Sequence, residues 1–399
     1  MAKILLTWEA GAYLGHEMLV TTAAVLIRKA GHEVVIYSPH DSVANDASRR
    51  AGIRWEQVAA APDVLPPPTG VAWESRATAL WNFGFHSADV IGDRFHAWDI
   101  ILHREQPDVV VVQAAPHAQI AARVGGFPSV EFGIGFDVPP RHVPFPAFRS
   151  ADEFNVPDAL RLERMVLDRV KRALGASTVP SRLHELVSGQ RRLIASIQEL
   201  DHYDGADDSS REFIGPLPAI EMSETRPTWK RGRPRVLAYV RAPLIEPTQL
   251  LKAIAGLRGD AVVVCLDADE AAVKLAQSLG LRLHLKPISI GELLPTADLV
   301  VSHAGGMMAE AVVHGCRCLA MPTHYEQFLT AVTVKRRKLG TMLNPKEPAM
   351  YGRALQHVLV DPEVGRAVAA VAARYRGTSM RSGPAFVAAV ESLVGVVAP

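Results

Sequence analysis

A chain of 399 residues, 48% of them hydrophobic, is too long for one ordinary core and predicts two domains of roughly 150 to 200 residues each. Its 43 basic and 42 acidic side chains leave a formal charge of +1, which gives no electrostatic footprint for nucleic acid or an anionic membrane. Cys265, Cys316 and Cys318 form no disulfide framework or zinc set, and no apolar run reaches the ~18 residues of a membrane span, so the sequence reads as a soluble cytoplasmic protein.

Residues 3–8 predict a short apolar strand, followed by Gly11 and Gly15, a helix over 17–29 stopped by Gly31, and a second strand over 32–37. This is a β-α-β unit with a right-handed crossover expected. His16 falls on the glycine-rich loop at the sheet's C-terminal edge, where an imidazole titrates near neutral pH as general-base work requires. The next strand, 108–113, ends in Gln113, which can hydrogen-bond a histidine but cannot stabilise an imidazolium by charge. His117, four residues on, reads as a loop residue. From 59 to 98 the pattern is irregular, with Pro66, Pro67 and Pro68 and then Trp73, Trp81, Phe83, Phe85, Phe95 and Trp98. At least half of these aromatics are expected in the core and the rest in an apolar wall suited to a flat or greasy ligand.

A strand over 127–132 and a proline-rich loop over 137–150 come next, then helices over 153–174 and 181–186 and a strand near 193–197. Residues 213–218 close the first domain, and the stretch ending in the basic run 230–235 reads as a solvated connector. Strands at 235–240, 260–266 and 281–285, with helices at 248–257 and 270–279, restart the alternation. Asp267-Ala-Asp269 is expected to be a turn and helix start rather than a metal pair. Arg241, after the strand, is a candidate fork for phosphate oxygens, with pairing to Glu246 as the alternative. Residues 299–301 then form a buried strand, Gly305-Gly306 a sharp turn, and 307–314 a helix. Amides pointing out of such a turn make an anion site, to which His303 could add one bond. Residues 335–338 read as a solvated face, and 384–397 as a final apolar helix.

The order His303, Gly305, Gly306, Glu310-Ala311, Gly315, Pro322, Glu326-Gln327 resembles the donor signature of the family 1 glycosyltransferases, and Gly15-His16 with Ala30-Gly31-His32-Glu33-Val34 resembles their N-terminal domain. The resemblance implies an α/β GT-B fold, two Rossmann-like domains facing each other across a cleft. It places an acceptor-binding domain at 1–218, a linker at 219–234, a nucleotide-sugar domain at 235–380 and a returning helix at 381–399. It implies His303 and the glycine amides on the diphosphate, Glu310 on the ribose, Glu326 and Gln327 on sugar hydroxyls, and His16 as base with Gln113 as its partner. The expected activity is metal-independent, inverting transfer of a hexosyl group from a UDP- or dTDP-sugar to a hydroxyl of a small apolar acceptor, in secondary metabolism. The nucleotide sugar is a co-substrate, and no other cofactor is implied. Three departures stand out: Met307-Met308 replace a hydroxyl residue, Gln113 replaces an aspartate, and Leu285-Lys286-Pro287 replaces an aromatic-containing segment. With one residue fewer between His303 and Glu310 than the family usually has, the loop also resembles that of the nucleotide-sugar 2-epimerases, and Met307, Met308 and Gln113 together fit a non-catalytic GT-B partner that activates another enzyme.

Overall fold

The computed structural model describes the chain except residues 12–13, 40–45, 59–69, 150–153, 204–205, 207, 219–222, 231 and 397–399. Pro66, Pro67 and Pro68 of the irregular stretch and Arg231 of the basic run lie outside the described residues. The chain divides into two compact units, one of residues 1–196, 202–217 and 381–399, the other of 197–201 and 218–380. Residues 197–201 belong with the second unit because Ile197 and Leu200 pack into its apolar core.

In the first unit β1 (Lys3–Trp8), β2 (Glu33–Ser38), β3 (Arg54–Gln57), β4 (Val109–Gln113), β5 (Ser129–Gly133), β6 (Arg191–Ile194) and β7 (Arg211–Phe213) form one sheet in the order β3-β2-β1-β4-β5-β6-β7. Every pairing is parallel. The four consecutive valines of β4 are fully buried, as a strand covered on both faces requires. The helices are α1 (Leu14–Lys29), α2 (Asp46–Arg50), α3 (Arg76–Leu80), α4 (Ala88–Glu105), α5 (Pro116–Val124), α6 (Val156–Leu174) and α7 (Leu183–Val187). Two sequence expectations change here. His16 lies in the first turn of α1 rather than on the preceding loop, and His117 lies in the first turn of α5. Between α3 and α4 the chain kinks within Trp81–Phe85, where Phe83 leaves helical angles and Gly84 sits at φ +100°, a geometry that suits glycine.

The described part of the proline-rich stretch, 137–149, carries no helix or strand beyond the isolated bridge of Ala147 to Ser75. Buried charges hold it instead. Arg192, wholly buried, pairs with Glu131 at 2.7 Å and donates to the Pro139 carbonyl, while Arg211 Nε donates to the Val138 carbonyl at 2.9 Å. Further on, the Phe145 amide donates to Glu163 Oε1 at 2.5 Å. Glu163 is buried, and burial pushes its carboxyl up to about 7 although the Phe145 amide pulls the other way. A carboxyl raised in the folded state contributes stability that is present below its ordinary value of 4.5 and is lost as pH rises through about 7. The Glu163→Gln protein should therefore gain on the wild type between pH 5 and pH 8 by up to ~3 kcal/mol in urea unfolding. A constant difference across that range would contradict this role of Glu163.

The second unit holds β8 (Arg235–Arg241), β9 (Asp260–Leu266), β10 (Arg282–His284), β11 (Leu299–Ser302), β12 (Arg317–Ala320) and β13 (Gly340–Met342) in the parallel order β10-β9-β8-β11-β12-β13. Around it lie α8 (Pro247–Ala255), α9 (Glu270–Ser278), α10 (Met307–Val313), α11 (Tyr325–Arg336), α12 (Tyr351–Val360) and α13 (Pro362–Arg374). Asp269 caps α9 by accepting the Ala272 amide at 2.8 Å, so Asp267-Ala-Asp269 is a turn and helix start. The last helix, α14, runs over Thr378–Glu391 with Pro384 inside it, so it begins before the proline expected to open it. Proline removes one helical donor and strains the turn before it. Phe386 packs against Phe132 with centroids 4.7 Å apart and Ser382 Oγ donates to the Pro216 carbonyl at 2.7 Å, contacts that hold the helix in place. No helix among the described residues is long and apolar enough to cross a membrane.

Candidate functional site

In the second unit the functional side chains gather at the C-terminal edge of the sheet, where β8, β11 and β12 are neighbours and where parallel α/β sheets bind ligands. The turn after β11 differs from the sequence expectation. Its left-handed residue is Ala304, at φ +65°, whereas Gly306 has ordinary helical angles of −52° and −30°. Glycine is not needed at 305 or 306 to bend the chain. A Cβ added at either would meet no protein atom within 4 Å. Neither amide N–H makes a hydrogen bond among the described residues. The two glycines thus carry unbonded backbone donors beside open space that any larger side chain would fill, a setting suited to an anion.

His303 does not present a spare proton to that space. Its Nδ1 donates to the Met321 carbonyl at 2.9 Å and its Nε2 accepts the Arg241 amide at 2.9 Å. Burial lowers its basicity, the Met321 bond opposes that, and the Arg241 charge lowers it further, so the ring is neutral. In this arrangement His303 ties the β8 and β12 ends around the glycine turn. Arg241 Nε pairs with Asp267 Oδ2 at 2.6 Å, not with Glu246. Glu310, on α10, is half-buried, and burial alone pushes its carboxyl up to about 7. Its carboxyl group makes no hydrogen bond or ion pair among the described residues. Of the two methionines, Met308 is wholly buried and only Met307 is partly exposed. Glu326 and Gln327 open α11, and Gln327 Oε1 accepts from the Thr323 amide at 2.9 Å and hydroxyl at 2.8 Å. The sequence showed Asp267 only as part of the Asp267-Ala-Asp269 turn, not as the partner of Arg241, and Thr323 carries no motif.

In the first unit β1 and β4 are neighbours, and their C-terminal ends bring His16 to Gln113. Gln113 Nε2 lies 2.8 Å from His16 Nδ1 and 3.3 Å from Asp137 Oδ2. The Ile134 amide donates to the same carboxylate oxygen at 3.1 Å. Two glycines make room for this chain of contacts. A Cβ at Gly11, which sits at φ +88°, would come within 2.4 Å of His16 Nε2, and one at Gly133 within 2.4 Å of Asp137 Oδ2. The Trp8 ring stacks 6.0 Å from His16. Beside Asp137, Phe136 stacks on Phe148 at 4.9 Å and meets Trp73 at 6.2 Å, and Trp73 packs edge-on to Phe83 at 5.5 Å. Phe136, Phe148 and Asp137 belong to the proline-rich loop and its approach, whose sequence signals irregular backbone but not this company. Phe85 and Trp98 are core residues: Phe85 stacks on the buried His117 at 4.4 Å, and His117 Nδ1 lies 2.8 Å from Glu9.

No family model matches the chain. Among curated proteins it is similar to demethyllactenocin mycarosyltransferase of Streptomyces fradiae, 29% identical over 202 residues, a match spanning 48% of this chain and 42% of that relative. Solved structures match along nearly the whole length. The calicheamicin glycosyltransferase CalG4 gives a TM-score of 0.67 at 19% identity, covering 100% of this chain and 99% of that one. The glycosyltransferase of kitacinnamycin gives 0.67 at 18% identity, covering 98% and 99%. The spinosyn rhamnosyltransferase SpnG complexed with thymidine diphosphate gives 0.63 at 17% identity, covering 98% and 100%. At these identities the structural likeness establishes the fold.

Proposed function

The fold is GT-B, with two Rossmann-like domains, and on it we propose that the chain transfers a sugar from a nucleoside diphosphate to a hydroxyl of a small apolar acceptor, with inversion. The observation that carries this reading is the pair of bare amides at Gly305 and Gly306 beneath open space. They are suited to the departing diphosphate, whose negative charge grows as the glycosidic bond breaks. Arg241, released from Asp267, would supply a cation to the same oxygens in place of a divalent metal. Glu310, near neutrality at pH 7, is suited to a ribose hydroxyl, and Glu326 and Gln327 to sugar hydroxyls. Likeness to a thymidine diphosphate complex favours a dTDP-sugar over a UDP-sugar, and the curated relative, a mycarosyltransferase, favours a hexosyl group and a natural-product acceptor.

On the acceptor side, the half-buried Trp73, backed by the buried Phe83, Phe136 and Phe148, supplies an apolar surface. His16 takes the acceptor's hydroxyl proton as its oxygen attacks the anomeric carbon, and the bonding pair leaves with the diphosphate. A non-catalytic partner is the second reading, favoured by one observation: Gln113 offers His16 an N–H instead of a carboxylate. A thermal-shift panel tests the donor side, since only a ligand of the folded state raises the melting temperature. Thymidine diphosphate should stabilise the protein more than UDP and far more than inorganic phosphate. No shift with any nucleoside diphosphate would remove the proposal.

A further inference from the structure

The buried amide of Gln113 is satisfied on one side only. Its Nε2 lies within hydrogen-bond reach of His16 Nδ1 and of the acceptor Asp137 Oδ2, while its Oε1 is buried and has no partner among the described residues. Turning the amide over would bring its oxygen against the Asp137 carboxylate oxygen, two acceptors with no proton between them. Asp137 itself is fixed. It is buried, accepts the Ile134 amide, and sits in the space left by Gly133. The carboxylate therefore dictates the amide orientation, and the amide dictates the ring. A nitrogen that accepts a hydrogen bond carries no proton, so neutral His16 bears its proton on Nε2.

We propose that Asp137 is a positioning residue which, through Gln113, holds His16 in the Nε2–H tautomer and so keeps the imidazole in the form that donates rather than accepts a proton. The assignment of His16 as proton acceptor in sugar transfer rests on the function proposed above, but the tautomer does not. In the resting protein a hydroxyl approaching Nε2 meets an N–H. Before His16 can take that hydroxyl's proton, the ring proton must move to Nδ1, where the Gln113 amide group offers no acceptor. The acceptor-side base is thus held back by its own support, a property set by Gln113 and Asp137 together. Gln113→Glu reverses it without changing shape: one proton shared between the introduced carboxyl group and Asp137 leaves a carboxylate oxygen for His16 Nδ1–H.

Ring 15N spectra of the full-length protein labelled at histidine read the tautomer directly, with His16 assigned by its loss in His16→Gln. The wild type should show an unprotonated Nδ1 and a protonated Nε2. Gln113→Glu should move the proton to Nδ1 and raise acceptor-dependent release of thymidine diphosphate about tenfold or more. Asp137→Asn should shift the tautomer population toward Nδ1–H. If that variant does not fold, Gly133→Ala, which displaces the carboxylate, serves instead. A wild-type spectrum with the proton on Nδ1, or the wild-type tautomer persisting in both Gln113→Glu and the Asp137 variant, would overturn the inference. A wild type with the expected spectrum but no transfer to any acceptor would sink the function proposed above and leave the tautomer assignment standing.

Discussion

Gly306→Val should leave a folded protein that no longer binds a nucleoside diphosphate. Gly306 has helical backbone angles, so a β-branched residue meets no left-handed strain there. The added carbon touches no protein atom within 4 Å, so the melting temperature should stay near the wild-type value. What the side chain does occupy is the space over the bare amides. Losing two backbone donors to phosphate, together with the steric exclusion, should weaken thymidine diphosphate by at least ~3 kcal/mol, more than a hundredfold in Kd by calorimetry. Gly305→Val should behave likewise. Unchanged affinity in either folded variant would move the anion site away from this turn.

The second large effect is expected at His16. Removing a positioned general base costs about a hundredfold or more in turnover, and His16→Ala should lose that much while donor affinity is retained, because the residue lies in the first unit and the donor residues in the second. Equal losses in turnover and donor affinity would make the histidine structural. The loss should be larger when measured in the Gln113→Glu background, where the imidazole has the productive tautomer to lose.

Much of the fold was legible because parallel strands buried on both faces read as unbroken β-branched runs, as in the valines of β4 and β9. The strand-turn-helix path of the candidate donor site was legible because His303, Gly305, Gly306 and Glu310 follow one another at short spacing, whereas Glu326 and Gln327, on the later α11, are implied only by the family resemblance. What the sequence did not disclose depends on loops meeting in space. Asp137 reaches Gln113 across 24 residues and through a stretch whose prolines announce only irregular backbone. Asp267 takes Arg241 from an adjoining strand end, and both ring nitrogens of His303 are spent on main-chain groups that no motif encodes. The strained position of the turn falls on Ala304 rather than on its glycines, since Ser302 Oγ accepts the Ala304 amide at 3.1 Å and helps hold the bend. Pro384 misleads in the same way, as the contacts of Phe386 and Ser382 keep α14 helical through a residue that locally argues against it.

Sugar transfer itself is tested most directly by following thymidine diphosphate release from a set of dTDP-sugars with and without a panel of small apolar hydroxyl-bearing acceptors, while the acceptor is weighed by mass spectrometry. Release should depend on the acceptor and be matched mole for mole by glycosylated product. Epimerised nucleotide sugar formed without an acceptor, or tight binding of thymidine diphosphate with no product from any pair, would contradict the transferase reading.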